Sequence, residues 1–146
     1  MSNVDEQLTM TGHLQIRLND ELVRDVPNLV VTAGKGFVAT RMIGTGAGVM
    51  SHMEVGTGTT DPAAGNTTLE SAVSSSRTAF TSSAAVSGAV VTYIAAFAAG
   101  TGTGALTEAG IFNASSGGTM LCRTEFSVVN KGAADTMTIT WTVTVS

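Results

Sequence analysis

Charge is scarce in this sequence. Asp, Glu, Lys and Arg make up only 12% of its 146 residues, 11 acidic against 7 basic, for a net charge of −4. The basic residues are scattered, which argues against nucleic acid as a partner, because neutralising phosphates requires clustered Lys and Arg. Cys122 is the single cysteine, so an intrachain disulfide and a secreted disulfide framework are excluded, and the residue reads as a small core side chain. Long apolar runs are also missing. The longest, residues 84–100, is mostly Ala with Ser87, Gly88 and Thr92 inside it, short of the roughly 20 residues a membrane helix needs. The opening residues M-S-N-V-D-E-Q lack the basic-then-apolar pattern of a signal peptide, so synthesis and assembly are expected in the cytosol.

What is present is small and polar or small and apolar: 43% hydrophobic residues and 17 glycines, with much Thr, Ser and Ala. The length fits one domain, residues 1–146, able to bury a core unaided. A surface so poor in charge suits extended protein contacts and points to assembly into something larger. Residues 1–7 are read as an acidic extended arm.

The strongest strand signal is residues 136–146. Met137, Ile139, Trp141, Val143 and Val145 alternate with threonines, the period-2 pattern of a strand with one buried face. Threonine is stiffened for a strand by its branched Cβ and keeps the other face wettable or free to meet a second surface. A second amphipathic strand, with Leu8, Met10, Gly12, Leu14, Ile16 and Leu18 inward, is its natural partner. Asn19 and Asp20 then form a turn, and Pro27, lacking an N–H, is expected to end the ladder of this first hairpin. A short helix capped by Thr32 follows. Residues 49–55 read as a strand with Met53 and Val55 inward. Thr67 and Glu70 have capping-box spacing, which predicts a helical turn or two over residues 68–73. Residues 77–97 read as two strands broken near Gly88, the second central in its sheet or covered on both faces.

Residues 106–113 and 119–126 form a hairpin. A symmetric six-residue loop sets Glu108 directly opposite Arg123 as a cross-strand ion pair, whereas a slip of two would oppose Glu108 to Glu125 at a cost of about 0.5 to 1 kcal/mol. The favoured register also gathers Ala109, Ile111, Met120, Cys122 and Phe126 on one face. The expected fold is all-β, an antiparallel β-sandwich, jelly-roll-like, with one or two short helices in its connections.

No catalytic or metal-binding pattern emerges, and no cofactor is implied. His13 lies on a polar strand face without a ligand set, and His52 with Glu54 reads as a surface or interface hydrogen bond. No Gly-x-Ser-x-Gly turn occurs, and the Gly-Thr-Gly runs at residues 44–48, 56–58 and 100–104 match neither a P-loop nor a dinucleotide fingerprint. They read as mobile connections. The protein is therefore expected not to be an enzyme.

Met53-Glu-Val-Gly-Thr-Gly-Thr-Thr-Asp-Pro-Ala-Ala-Gly-Asn-Thr-Thr-Leu69, followed by Arg77, resembles a segment of small structural proteins of tailed bacteriophage virions. Thr107-Glu-Ala-Gly-Ile-Phe112, Met120-Leu-Cys-Arg-Thr-Glu-Phe126 and the threonine-rich Trp141 strand resemble the later half of the same proteins, in the same order, and Asn28-Leu-Val-Val-Thr-Ala-Gly-Lys35 is a weaker third match. The resemblance implies a capsid cement, or decoration, protein on the virion surface, made in the host bacterial cytoplasm. Its implied partners are the major capsid protein and further copies of itself, as a dimer first and a trimer second. A similar Glu-x-Gly-Ile-Phe pattern near the start of some tail-fibre proteins implies a small tail or head-to-tail protein instead. Chain length favours the first.

Overall fold

The structure, a computed structural model, describes residues 6–46, 48–82 and 84–146. The proposed arm falls largely on residues 1–5, outside the described residues. The chain is all-β and antiparallel, with one helix: β1 (Met10–Leu18), β2 (Glu21–Val30), α1 (Thr32–Arg41), β3 (His52–Gly56), β4 (Thr78–Ala79), β5 (Ala85–Ser87), β6 (Val90–Phe97), β7 (Gly104–Phe112), β8 (Met120–Lys131) and β9 (Met137–Val145). The strands form a single sheet in the order β4-β3-β7-β8-β2-β1-β9-β6-β5. The sheet is curled, so its halves face each other across one core and its two ends approach. There Thr81 N–H, just past β4, donates to Ile94 O of β6 (2.8 Å). No helix among the described residues is long and apolar enough to cross a membrane.

β9 sits where its alternation predicts. It pairs with β1 on one side, Trp141 opposite Leu14, and with β6 on the other, Trp141 opposite Tyr93. Met137, Ile139, Trp141 and Val143 are buried, with Val145 half-buried at the strand end. Their neighbours in the core come from the other half of the sheet: Met53, Val55, Ala109, Ile111, Cys122 and Phe126. Burial pushes the Cys122 thiol well above its ordinary value, which keeps it a neutral, inert core group.

Several expectations are corrected. β1 begins at Met10, leaving Leu8 outside the strand and exposed. Asn19 and Asp20 do make the turn, both with positive φ, and the ladder with β1 runs only one residue past Pro27, to Asn28, although β2 itself continues to Val30. Pro27 lies opposite His13, after which β2 changes partner and pairs with β8 through Leu29 and Val30. A residue without an N–H fits where one ladder is being left for another, and the Pro27 carbonyl accepts the Thr124 hydroxyl (2.7 Å). The helix cap is Val31, without a side-chain bond, while Thr32 N–H donates to Ala64 O. Residues 68–73 form no helix, because Glu70 turns its carboxylate to Thr59 and Thr60 instead of back to Thr67.

β6 is bordered by only three residues of β5 and keeps half-buried outer residues. The strands covered on both faces are β7 and β8. The core lies on one side of them, and on the other a smaller apolar cluster of Val31, Leu69, Phe112 and Met120. Met120 is therefore parted from Ile111 and Cys122.

Replacing Trp141 by Ala removes the largest wholly buried side chain, and a loss of about 3 to 5 kcal/mol is expected in denaturant unfolding.

Candidate functional site

Residues 28–35, 53–69, 107–112 and 120–126, separated along the chain, meet around one buried ion pair. Glu108 and Arg123 lie 3.0 Å apart (Oε1 to Nη2), both almost wholly inaccessible. They are diagonal neighbours rather than opposite ones: Gly110 faces Arg123, and Glu108 faces Glu125. The disfavoured register has won in two steps of one residue each: the loop closes on Asn113, whose N–H donates to Thr119 O (3.2 Å), and Leu121 is an extra residue in β8, where the pairing shifts between Ile111 and Phe112. The bulge is held in place from outside, since the Leu121 carbonyl accepts Val31 N–H (3.2 Å). A Cβ on Gly34 would stand 2.1 Å from the same oxygen, so α1 can come this close only with glycine there.

Like-charge opposition is relieved by where the Glu108 carboxylate points. It accepts N–H groups of Gly58 (2.8 Å), Glu70 (2.9 Å) and Ser71 (2.7 Å), besides Arg123 Nε (3.1 Å). Arg123 spends its remaining donors on Asn66 Oδ1 (3.1 Å) and Thr60 O (3.0 Å). Buried charges persist only when paired and hydrogen-bonded in this way. The pair therefore fixes both ends and the middle of the segment 56–71. Gly56 and Gly58 are not mobile connectors here. A Cβ on either would come within 3 Å of the Glu108 side chain, and Thr107 Oγ1 ties down Gly58 O (2.6 Å). The Thr60 hydroxyl, then the Thr59 and Thr60 amides, hold the Glu70 carboxyl below its ordinary value.

Arg77 secures the neighbouring loop. Its guanidinium carbon lies 3.7 Å from the centroid of the Phe112 ring, its Nη1 donates to Ala114 O and Gly117 O, and Glu54 pairs with it at 3.2 Å. Glu54 is thus drawn away from His52, whose Nδ1 meets the Ser51 hydroxyl (2.7 Å). His13, which had no nearby acid in the sequence, meets Asp25 across the β1–β2 hairpin. No group of three or more His, Cys, Asp or Glu capable of holding a metal ion is found among the described residues.

Among the described residues, two surfaces stand out beside this centre and along β9. The first is the rigidly held loop of residues 59–68, mostly exposed. The second is the outer face of β1, β9 and β6, where Thr138, Thr140, Thr142 and Thr144 stand beside Gln15, His13, Thr92 and Ile94. The threonines are half-buried, which is what neighbours on a pleated face impose. Comparisons of the chain with family models, with curated proteins and with solved structures find no match.

Changing Glu108 to Ala leaves Arg123 buried without its counter-charge, and a loss of about 3 to 5 kcal/mol is expected. Amide exchange of Gly58, Glu70 and Ser71 should accelerate most. A second expectation concerns acid. Asn19 and Gly132 N–H bonds hold the Asp135 carboxyl below its ordinary 3.8, and Glu70 lies below 4.5. Depressed carboxyls stabilise the fold above their unfolded values and lose that contribution as pH falls through the folded ones. The melting temperature should therefore drop as pH falls below about 4, with a shallower drop in Asp135→Asn.

Proposed function

We propose that this chain is a capsid cement protein, binding the outer surface of a phage capsid across joints between capsomers and stabilising the mature shell. The observation that carries the reading is the convergence of the resembling stretches. Residues 28–35, 53–69, 107–112 and 120–126 share one hydrogen-bonded centre built on Glu108 and Arg123, so their residues make sense together as a scaffold that presents loop 59–68. The scarcity of charge and the threonine face of β9 support a life among protein contacts.

In this reading the function is thermodynamic. A protein that binds the mature shell better than free capsomers or an unexpanded shell shifts the equilibrium toward the mature lattice. Each contact need be worth only a few kcal/mol when a symmetric oligomer grips several capsomers, because the second contact forms at high effective concentration. A dimer is proposed first and a trimer second, joined through the threonine face. No catalysis enters the mechanism. The second reading, a small tail or head-to-tail protein, is favoured by the Glu108-Ala-Gly-Ile-Phe112 pattern alone.

Particles made without the protein should assemble and then lose their genome on heating or at low ionic strength, and unchanged heat resistance would sink the cement reading. Thr140→Lys with Thr142→Lys should leave the monomer folded and dissociate the oligomer, read by light scattering. An oligomer that survives both changes excludes that face as its interface.

A further inference from the structure

Among the described residues, four buried side-chain polar atoms have no hydrogen-bond partner: Asn28 Oδ1, Asn28 Nδ2, Arg77 Nε and Trp141 Nε1. Arg77 Nε faces its counter-charge, Glu54, at 3.2 Å. The other three have no such answer, and leaving donors and an acceptor unmet inside a fold is unfavourable.

The register brings these three atoms to one part of the core side of the sheet. Gly12 stands between Asn28 on β2 and Val143 on β9, and Trp141 is opposite Leu14, the next inward residue of β1. Trp141 is therefore a diagonal neighbour of Gly12, a separation that an aromatic side chain spans. Because Gly12 has no side chain, the Asn28 amide lies across it: a Cβ there would stand 1.6 Å from Oδ1. The amide and the indole thus flank the same bare stretch of β1. Cys122, opposite Val30, also borders the amide, but a thiol is only a weak donor and a weak acceptor.

The chemistry of these groups selects the ligand. Two kinds of N–H donor without a carboxylate do not suit a cation, and a carbonyl oxygen without a cationic side chain beside it does not suit an anion. The buried cations Arg123 and Lys131 are engaged elsewhere. Water both donates and accepts, and a water enclosed in a protein typically makes about three hydrogen bonds, the number these atoms supply.

We propose that Asn28 and Trp141 bind one water molecule within the core, which accepts from Trp141 Nε1 and Asn28 Nδ2 and donates to Asn28 Oδ1. Asn28 is then a water ligand that joins β2 to β9 across β1, and Gly12 is the residue whose missing side chain gives the amide its place. The proposal is independent of the cement reading.

The test is nuclear magnetic resonance on the full chain labelled with nitrogen-15. Trp141 is the single tryptophan, so its indole N–H gives one unambiguous signal. Rotating-frame cross-peaks to water are expected at the indole N–H and at the Asn28 amide protons, with the sign of direct contact rather than of proton exchange. Asn28→Leu replaces the amide by a branched apolar group and should abolish the indole cross-peak, with Trp141 still buried by its fluorescence maximum. A wild-type protein with no water cross-peak at either one of the two groups overturns the proposal, whether or not the variant folds. An indole cross-peak that persists in folded Asn28→Leu shows that the two groups do not share a water, and overturns it as well.

Discussion

Everything distinctive in this molecule depends on one buried salt bridge that is hydrogen-bonded on all sides. Placing a carboxylate and a guanidinium under the surface of a sheet is unfavourable unless each lone pair and donor is met. Glu108 and Arg123 meet that condition only by recruiting backbone from residues 58, 60, 70 and 71 and the side chain of Asn66. The demand organises the outer layer. The segment 57–71, which has no regular structure of its own, is ordered by groups on β7 and β8, and Gly56 and Gly58 are needed because the carboxylate stands so close. α1 is drawn into the same arrangement through Val31 and Gly34 against Leu121.

A second buried cation plays a smaller version of this part at the far end of β8. Lys131 donates to Ala98 O (3.0 Å) and Asp135 O (2.7 Å), and burial lowers its ordinary pKa, opposed by Asp135. Asn19 links this turn to the β1–β2 turn, donating to Asp135 (2.9 Å) and accepting Thr136 N–H (3.0 Å). The few charges of the chain are thus largely structural.

The readable parts of the fold were those governed by local periodicity. β1 and β9, their pairing, the Asn19-Asp20 turn and the inward Met53 and Val55 follow from alternation and turn chemistry. The ion pair was readable too, as two opposite charges on one hairpin. Its geometry was not, because a bulge at Leu121 depends on Val31, far away in sequence, and opposed glutamates are tolerated only once three distant amides are in place. The capping-box expectation at Thr67 failed for the same kind of reason: Glu70 found donors distant in sequence at Thr59 and Thr60. Both covered faces of β7 and β8 were hidden because one cover is a loop, whose composition carries no period.

The cement account makes a claim about stoichiometry more directly than about any residue. A protein that seals joints between capsomers must be present in proportion to those joints, whereas a tail or head-to-tail component is present at one end of the particle. Quantitative mass spectrometry of purified virions, with the major capsid protein as the internal standard, measures this. The account predicts copies that scale with the number of capsomers. A handful of copies per particle, or none, would contradict it.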